Sequence, residues 1–473
     1  MKQLLFIGGQ WVEGQYKTEL FAPYSGVKLA DVAGASLAQA DEALAAAVKA
    51  KLVMRKLSAH ARSNILETVS SLLAQRKEEA AKLISQEAAK PIKAAYVEVD
   101  RTVTTFKLAA EEAKRIYGET LPLDSVPGGE GRIAYTRKEP IGVVAAITPF
   151  NFPMNLVAHK LGPAIAAGNS VVLKPAEQTP LSAYFIAGLF HEAGLPEGAL
   201  NVLSGEGKEL GEYIVKDDRV NYVTFTGSPY VGEQVRSNAR LKRVTLELGS
   251  NSAVIIDNDV DIEKAAVRCV IGAFTNQGQV CISLQRIYVM KEVYKKFVEA
   301  FVAVASRLII GDPLQPDTDV SIMINPAALE RALLWINEAV EQGAELALGG
   351  FAKQGLLQPT VLLQVPEGAK VIRQEVFAPV VSINAVPSLD VAIDLVNDSQ
   401  FGLQAGIYTN KLEAALDASD KLEVGGVLIN DIPTFRLDHM PYGGWKHSGI
   451  GREGIKYAIE DMCETKLVIF NRS

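Results

Sequence analysis

Cysteine is scarce in this sequence, with only Cys269, Cys281 and Cys463 in 473 residues. An odd number spread over so long a chain gives no disulfide framework. There is no CxxC pair, no HExxH and only five scattered histidines, so no metal site is expected. Positive charge is not in excess either. Lys and Arg number 48 against 55 Asp and Glu, and the formal net charge of −7 argues against a general nucleic-acid binder. Long apolar runs are missing. The longest uncharged stretch, Pro140 to Ala158, is interrupted by Pro149, Asn151, Pro153 and Asn155, whereas a membrane span takes about 20 clean apolar residues. The run Leu4 to Ile7 is too short for a secretory signal. These absences predict a soluble, cytoplasmic protein in a reducing compartment, with no nucleic-acid or membrane partner.

What is present is ordinary globular composition, 48% apolar and 22% charged. At about 150 residues per domain the length predicts two to four units. Phe6 to Val32 reads as strands and turns. Ala38 to about Tyr117 reads as amphipathic helices, with Ile65, Leu66, Val69, Leu72 and Leu73 forming one stripe and Pro91 starting or kinking a helix. Leu121 to Gly131 is a turn-rich interruption. Arg132 to Lys138 alternates as a strand of the exposed kind that pairs with another subunit. From Gly142 onward strands and helices alternate. Gly142–Ile147, Ser170–Lys174, Asn201–Leu203, Tyr222–Thr226 and Val244–Leu248 are strand candidates, with a helix over Thr179 to Ala193. The theme repeats from Ala253 to about Asn430, with strands at Ala253–Asp257, Ile287–Met290, Val380–Ile383 and Val427–Ile429 and a helix from Val293 to Leu308. This is the pattern of two doubly wound parallel α/β domains, and a cleft between such domains is where ligands sit.

Three residues stand out chemically. Cys281 lies in Asn276-Gln-Gly-Gln-Val-Cys-Ile-Ser283, a polar, Gly-containing segment that punctuates an apolar helix-like run. A lone Cys is usually a small buried hydrophobe, but such a loop gives access and nearby amides that favour a thiolate. Cys269 falls in an apolar helical pattern and Cys463 near the terminus, and both read as packing residues. Glu247 is flanked by Leu246 and Leu248; it is either a solvent-facing strand end or a general base whose pKa rises in an apolar pocket. Asn151, between Pro149 and Pro153, is either a turn residue or a rigid donor for an oxyanion. The Gly-rich turns at Gly205–Gly211 and Gly227–Gly232 do not fit GxGxxG. Ser228 can nevertheless open a helix whose N-terminal amides receive a phosphate.

Seven segments in order, Thr148-Pro-Phe-Asn-Phe-Pro, Leu173-Lys-Pro-Ala-Glu-Gln-Thr-Pro, Phe225-Thr-Gly-Ser, Leu246-Glu-Leu-Gly, Gly278-Gln-Val-Cys, Glu375-Val-Phe-Ala-Pro and the run from Pro441 to Glu453, give the chain a resemblance to the aldehyde dehydrogenase superfamily over nearly its whole length. The resemblance implies an α/β fold with a Rossmann-like coenzyme domain (1–121 and 141–249), a catalytic domain (250–449), oligomerisation and bridging elements (122–140 and 450–473) and, within these, a small β oligomerisation flap using Arg132–Lys138 and Thr465–Phe470, assembled as a homodimer or homotetramer. It makes Cys281 the nucleophile, Glu247 the base and Asn151 the oxyanion amide. It places Phe150, Lys174, Glu177, Thr226, Gly227, Ser228, Leu248, Glu375 and Phe377 at the coenzyme. It puts Arg101, Phe152, His159, Val280, Ile282, Arg436 and Tyr442 at the aldehyde, and Glu464 on a proton route. Cys281 would attack an aldehyde, hydride would pass to NAD⁺, and Glu247 would direct water onto the thioester. A carboxylate at Glu177 favours NAD over NADP, with Lys174 keeping NADP in play.

Where relatives commonly carry Gly-Lys after Leu-Glu-Leu-Gly, this chain has Ser250-Asn251, and Tyr442 stands where Phe is common. The segment from Glu98-Val-Asp-Arg101 to Glu119 is similar to the subgroup oxidising lactaldehyde, glyceraldehyde phosphates and other short polar aldehydes. The alternative is a coenzyme-A-acylating or phosphate-dependent enzyme of the same fold, against which Glu247 argues.

Overall fold

Short runs rich in Val, Ala and Thr, buried on both faces, form the middle of two sheets. In the computed structural model, which describes residues 1–472, the first sheet has eight strands. Their order is Gly449–Ile450, Arg243–Glu247, Tyr222–Thr226, Val143–Ile147, Ser170–Lys174, Leu200–Val202, Leu5–Ile7 and Gln10–Val12. The five central strands are parallel and the outer three run antiparallel to their neighbours. From Val143–Ile147 the chain builds outward to one side and then, from Tyr222–Thr226, to the other. That reversal of order splays the connections at the carboxyl ends of these two strands and leaves a crevice there.

The second sheet has seven strands, in the order Glu345–Leu348, Thr360–Leu363, Val380–Val386, Arg286–Met290, Ala253–Ile256, Gln404–Tyr408 and Gly426–Ile429. All pairs but the first are parallel. A third sheet joins Thr120–Leu121, Arg132–Pro140 and Cys463–Asn471. The two long strands pair antiparallel from Arg132–Asn471 to Pro140–Cys463. Ile133, Leu467, Ile469 and Phe470 stay exposed on it.

Helices cover the sheets as their periodicity requires. Leu66, Val69 and Leu73 are fully buried, while Ile65 and Leu72 pack at the margin of the same core. Pro91 is the N-cap of the helix Ile92–Glu112, so it starts that helix rather than kinking it. The helix Asn155–Ala167 is buried along its whole length, including His159 and Lys160.

The stretch after residue 449 divides between the first sheet, its core and the third sheet. Gly449–Ile450 adds an edge to the first sheet. Ile455, Ile459, Met462 and Cys463 join the core beneath it. Only Cys463–Asn471 pairs with the flap. All three cysteines are free. Among the described residues no helix is long and apolar enough to cross a membrane, and no cluster of His, Cys, Asp and Glu could hold a metal.

Candidate active site

Cys281 follows a helix that ends in strained backbone. The helix Ile262–Phe274 gives way to Thr275–Gly278, where Asn276, Gln277 and Gly278 have φ of 51°, 56° and 68°. Left-handed backbone at non-glycine residues persists only where neighbours over-determine it, and here they do. Gln277 Nε2 donates to the carbonyls of Ala89 (3.0 Å) and Ile322 (3.1 Å). Asn276 Nδ2 donates to the carbonyl of Asn151 at 3.3 Å. Asn151 Nδ2 in turn donates to the carbonyl of Gln279 at 2.9 Å. A Cβ at Gly278 would lie 2.1 Å from the carbonyl oxygen of Ala378, so only glycine fits.

This loop sets Cys281 at the junction of two cavities. The larger, of about 680 Å³, is lined among others by Lys90, Arg101, Phe152, Val280, Ile282, Arg436 and Tyr442. The smaller, of about 460 Å³, is lined by Phe150, Asn151, Thr226, Gly227, Ser228, Glu247, Leu248, Glu375 and Phe377. The smaller cavity lies in the crevice at the carboxyl ends of Val143–Ile147 and Tyr222–Thr226. Ser228 is the N-cap of the helix Pro229–Ala239, its side chain accepting from the Val231 amide at 3.4 Å. Phe150 meets Phe377 edge to face, with ring centroids 5.9 Å apart. Glu375 accepts from the Ser250 amide at 3.0 Å, and burial pushes its carboxyl up to about 7. A Cβ at Gly249 would meet that carboxylate at 2.4 Å.

Lys174 and Glu177 stand apart from this cavity. Glu177 accepts from the Gly207 amide at 2.6 Å and lies 3.9 Å from Lys174 Nζ. Lys174 pairs in register with Ile147 at the same end of the sheet.

Glu247 ends its strand fully buried, and neither carboxylate oxygen has a hydrogen-bond partner. Burial first, and then the charge of Glu453, push its carboxyl well above the usual range. Burial also pushes the Cys281 thiol up, to about 11, against the hydrogen bond from Tyr442 and the Arg436 charge, which pull it down. Glu453 is buried too, yet Lys160 (3.3 Å) and Arg436 (2.8 Å) hold its carboxyl below the usual range.

Two further expected residues, besides Lys174 and Glu177, are not gathered with the rest. Glu464 lies on the exposed flap strand, its carboxylate 2.6 Å from Arg243 Nη2. The carboxylate that faces Glu247 electrostatically is instead Glu453. His159 lines neither cavity. It is buried against Asp438, 2.9 Å from Nε2, and burial depresses its pKa against the pull of that carboxylate.

Charges in the larger cavity are pre-paired. Arg101 donates twice to Asp438, at 3.2 and 2.6 Å, and Asn155 donates to the same carboxylate at 3.1 Å. Lys90 pairs with Glu98 and sits 3.6 Å from the centroid of Phe152. Arg436 lies 3.7 Å from the centroid of Tyr442, and its Nε is buried without a partner. Such an orphan donor beside a cavity is costly unless a ligand satisfies it.

The residues that sequence reasoning missed are Lys160, Glu453 and Asp438. Lys160 carried a signal, as the only formally charged side chain in the apolar helix Asn155–Ala167. Glu453 closes the family-matching run from Pro441 but the resemblance gives it no role within that run, and Asp438, in an irregular segment, carried no signal.

A model of the "Aldehyde dehydrogenase family" matches residues 11–468. A relative named 3-sulfolactaldehyde dehydrogenase, from Priestia aryabhattai, is 48% identical over 467 residues, covering 99% of this chain and 98% of its own. Aldehyde dehydrogenase 21 from Physcomitrella patens, solved with the reaction product succinate, superimposes with a TM-score of 0.97 at 40% identity, covering 100% and 98% of the two chains. Glyceraldehyde-3-phosphate dehydrogenase from Methanocaldococcus jannaschii, complexed with NADP, gives 0.93 at 39% identity, covering 97% and 99%.

Proposed function

The chain belongs to the aldehyde dehydrogenase family, and on that footing we propose that it oxidises a short anionic, often hydroxylated, aldehyde to the free carboxylic acid. The observation that carries the reading is the place of Cys281, which with Leu156 lines both cavities. An aldehyde entering from the larger cavity reaches the sulfur on one side while the smaller cavity opens on the other.

The residues of the smaller cavity fit a nicotinamide coenzyme. Ser228, at the start of Pro229–Ala239, lines the cavity with a hydroxyl that a phosphate can meet, and Glu375 and Phe377 line it together with Cys281. A coenzyme bound there supplies the hydride acceptor. Glu177 favours NAD, because a carboxylate accepts from free ribose hydroxyls and repels a 2′-phosphate.

The chain's own residues do the rest. Cys281, as thiolate, attacks the carbonyl carbon and the carbonyl oxygen becomes an alkoxide. Asn151 Nδ2 has one hydrogen on the Gln279 carbonyl and one left for that oxygen. Once the carbon is oxidised, Sγ holds it as a thioester. Glu247, with both oxygens unpartnered, takes a proton from water as the water attacks, and the thiolate leaves. A free carboxylic acid results, and no acyl acceptor other than water is needed.

The substrate class rests on the cations of the larger cavity. The Arg436 Nε lacks a partner and Arg101 retains about a quarter of its side-chain exposure. The named compounds of the three relatives, a sulfonated, a phosphorylated and a dicarboxylic one, each pair a short carbon chain with an anion. The test is to assay glyceraldehyde 3-phosphate, succinic semialdehyde, lactaldehyde and hexanal with the wild type and Arg101→Ala. The anionic aldehydes should lead in kcat/KM and lose most in the variant. Equal turnover of hexanal, untouched by the substitution, overturns the assignment.

The flap strand, with Leu467, Ile469 and Phe470 exposed, supports a homodimer or homotetramer. Three free cysteines fit a cytoplasmic location.

A further inference from the structure

Tyr442 touches the sulfur itself. Its hydroxyl lies 2.9 Å from Cys281 Sγ and has no other hydrogen-bond partner among the described residues. The ring has little freedom to move away. Its backbone exchanges hydrogen bonds with Glu453, N to O at 3.0 Å and O to N at 2.6 Å. The Arg436 guanidinium covers one face, 3.7 Å from the centroid, and Glu453 anchors that guanidinium at 2.8 Å. The ring also packs with Val280, Ile282 and Leu403 in a small apolar cluster that flanks Cys281.

The geometry points to Tyr442 as a positioning residue whose hydroxyl donates to Cys281 once the thiol has ionised, selecting the thiolate and aiming it into the junction of the cavities. While Sγ carries its proton, either atom can donate. When that proton leaves to solvent, only the phenol can, and a charge-assisted bond replaces a weak neutral one. Burial keeps the phenol protonated, well above its ordinary range, so it remains a donor. The other charged or titratable groups that act on the sulfur are Arg436, which favours the thiolate, and Glu375 and Glu247, which oppose it. Lys90, Glu98 and Arg101 line the same cavity, and the first two neutralise one another. Against burial and two acids, Tyr442 and Arg436 are the groups that lower the cost of ionisation. A phenylalanine at this position keeps the ring and the guanidinium stacking but loses the donor.

This inference rests on Cys281 being the nucleophile, and its test needs no aldehyde. Iodoacetamide labelling of Cys281 in the intact enzyme, in short pulses between about pH 7 and pH 12 and followed by peptide mass spectrometry, reads the thiolate directly. Cys269 and Cys463, both buried, serve as internal references. In Tyr442→Phe the labelling midpoint should move up by about one pH unit, and the rate below it should fall about tenfold. Absorbance of the thiolate near the ultraviolet edge, titrated in wild type and subtracted from Cys281→Ser, gives the same midpoint without a Tyr442 variant. That wild-type midpoint should lie below the one found for Tyr442→Phe. A midpoint in Tyr442→Phe that is unchanged or lower overturns the proposal, since the hydroxyl would then be idle or would favour the thiol. A rate reduced with the midpoint unmoved also overturns it, because that is displacement of the loop and not loss of a donor. Failure of the proposed substrate class would leave these labelling curves untouched.

Discussion

Glu247 and Glu453 are two buried carboxyls whose surroundings drive them in opposite directions. Glu453 is locked by Lys160 and Arg436 and stays ionised, while Glu247 has no partner and is pushed toward its neutral form by burial and by Glu453. Removing the charge of Glu453 therefore lowers the pKa of Glu247, and the orphaned cations lower it further. In Glu453→Gln the acid limb of the hydrolytic step should move to lower pH, read from the pH profile of thioester turnover. The same variant should lose about 3–5 kcal/mol of stability in denaturant melts, because one partner of a buried ion pair is gone. An acid limb that moves upward would show that Glu453 does not act on Glu247.

Glu247→Gln isolates the second half of the reaction. The amide cannot accept a proton from water, so the enzyme should release one equivalent of reduced coenzyme and then stall. Steady turnover should fall by about 10²-fold or more, in line with loss of a general base. Rapid-mixing absorbance of the reduced coenzyme separates burst from steady state. Full steady turnover would remove Glu247 from the role.

Asn151→Ala takes away one oxyanion donor. Such a loss typically costs about 10²–10³ in rate, and it should appear in the burst as well as in steady turnover. Coenzyme affinity, measured by fluorescence titration, should change little, since the lost amide points at the nucleophile loop. A burst of wild-type rate would contradict the assignment.

Glu177→Gln tests coenzyme choice. The carboxylate is about half exposed and accepts from the Gly207 amide. Its neutral isostere keeps an acceptor but drops the repulsion toward a 2′-phosphate. The ratio of kcat/KM for NADP over NAD should rise by about tenfold, about 1.4 kcal/mol of discrimination. An unchanged ratio would move the determinant elsewhere.

The parallel strands were legible because buried strands of this kind are short β-branched runs between turn residues. Ser170–Lys174, Tyr222–Thr226 and Arg286–Met290 lie within a residue of where pattern alone puts them. Cys281, Asn151 and Glu247 stand out by unusual local context, but that context leaves a packing, turn or solvent-facing role open for each, and it is the family resemblance that implies their chemistry. The ion-pair lattice behind them was not. Arg101 meets Asp438 across 337 positions, and no local pattern announces such a pair. Spacing also could not tell which late carboxylate turns inward. Glu464 alternates on an edge strand and faces out, whereas Glu453 precedes the helix Ile455–Asp461 and is buried under it.

The approach of Gly278 to the carbonyl of Ala378 has a mechanical consequence. The loop that carries the sulfur rests, main chain on main chain, against the segment that carries Glu375 and Phe377, with no side chain between to act as a cushion. Neither can shift by an ångström without pushing the other. Substitutions can therefore retune the larger cavity through its side chains, while the spacing between Cys281 and the segment of Glu375 and Phe377 stays geared as a unit.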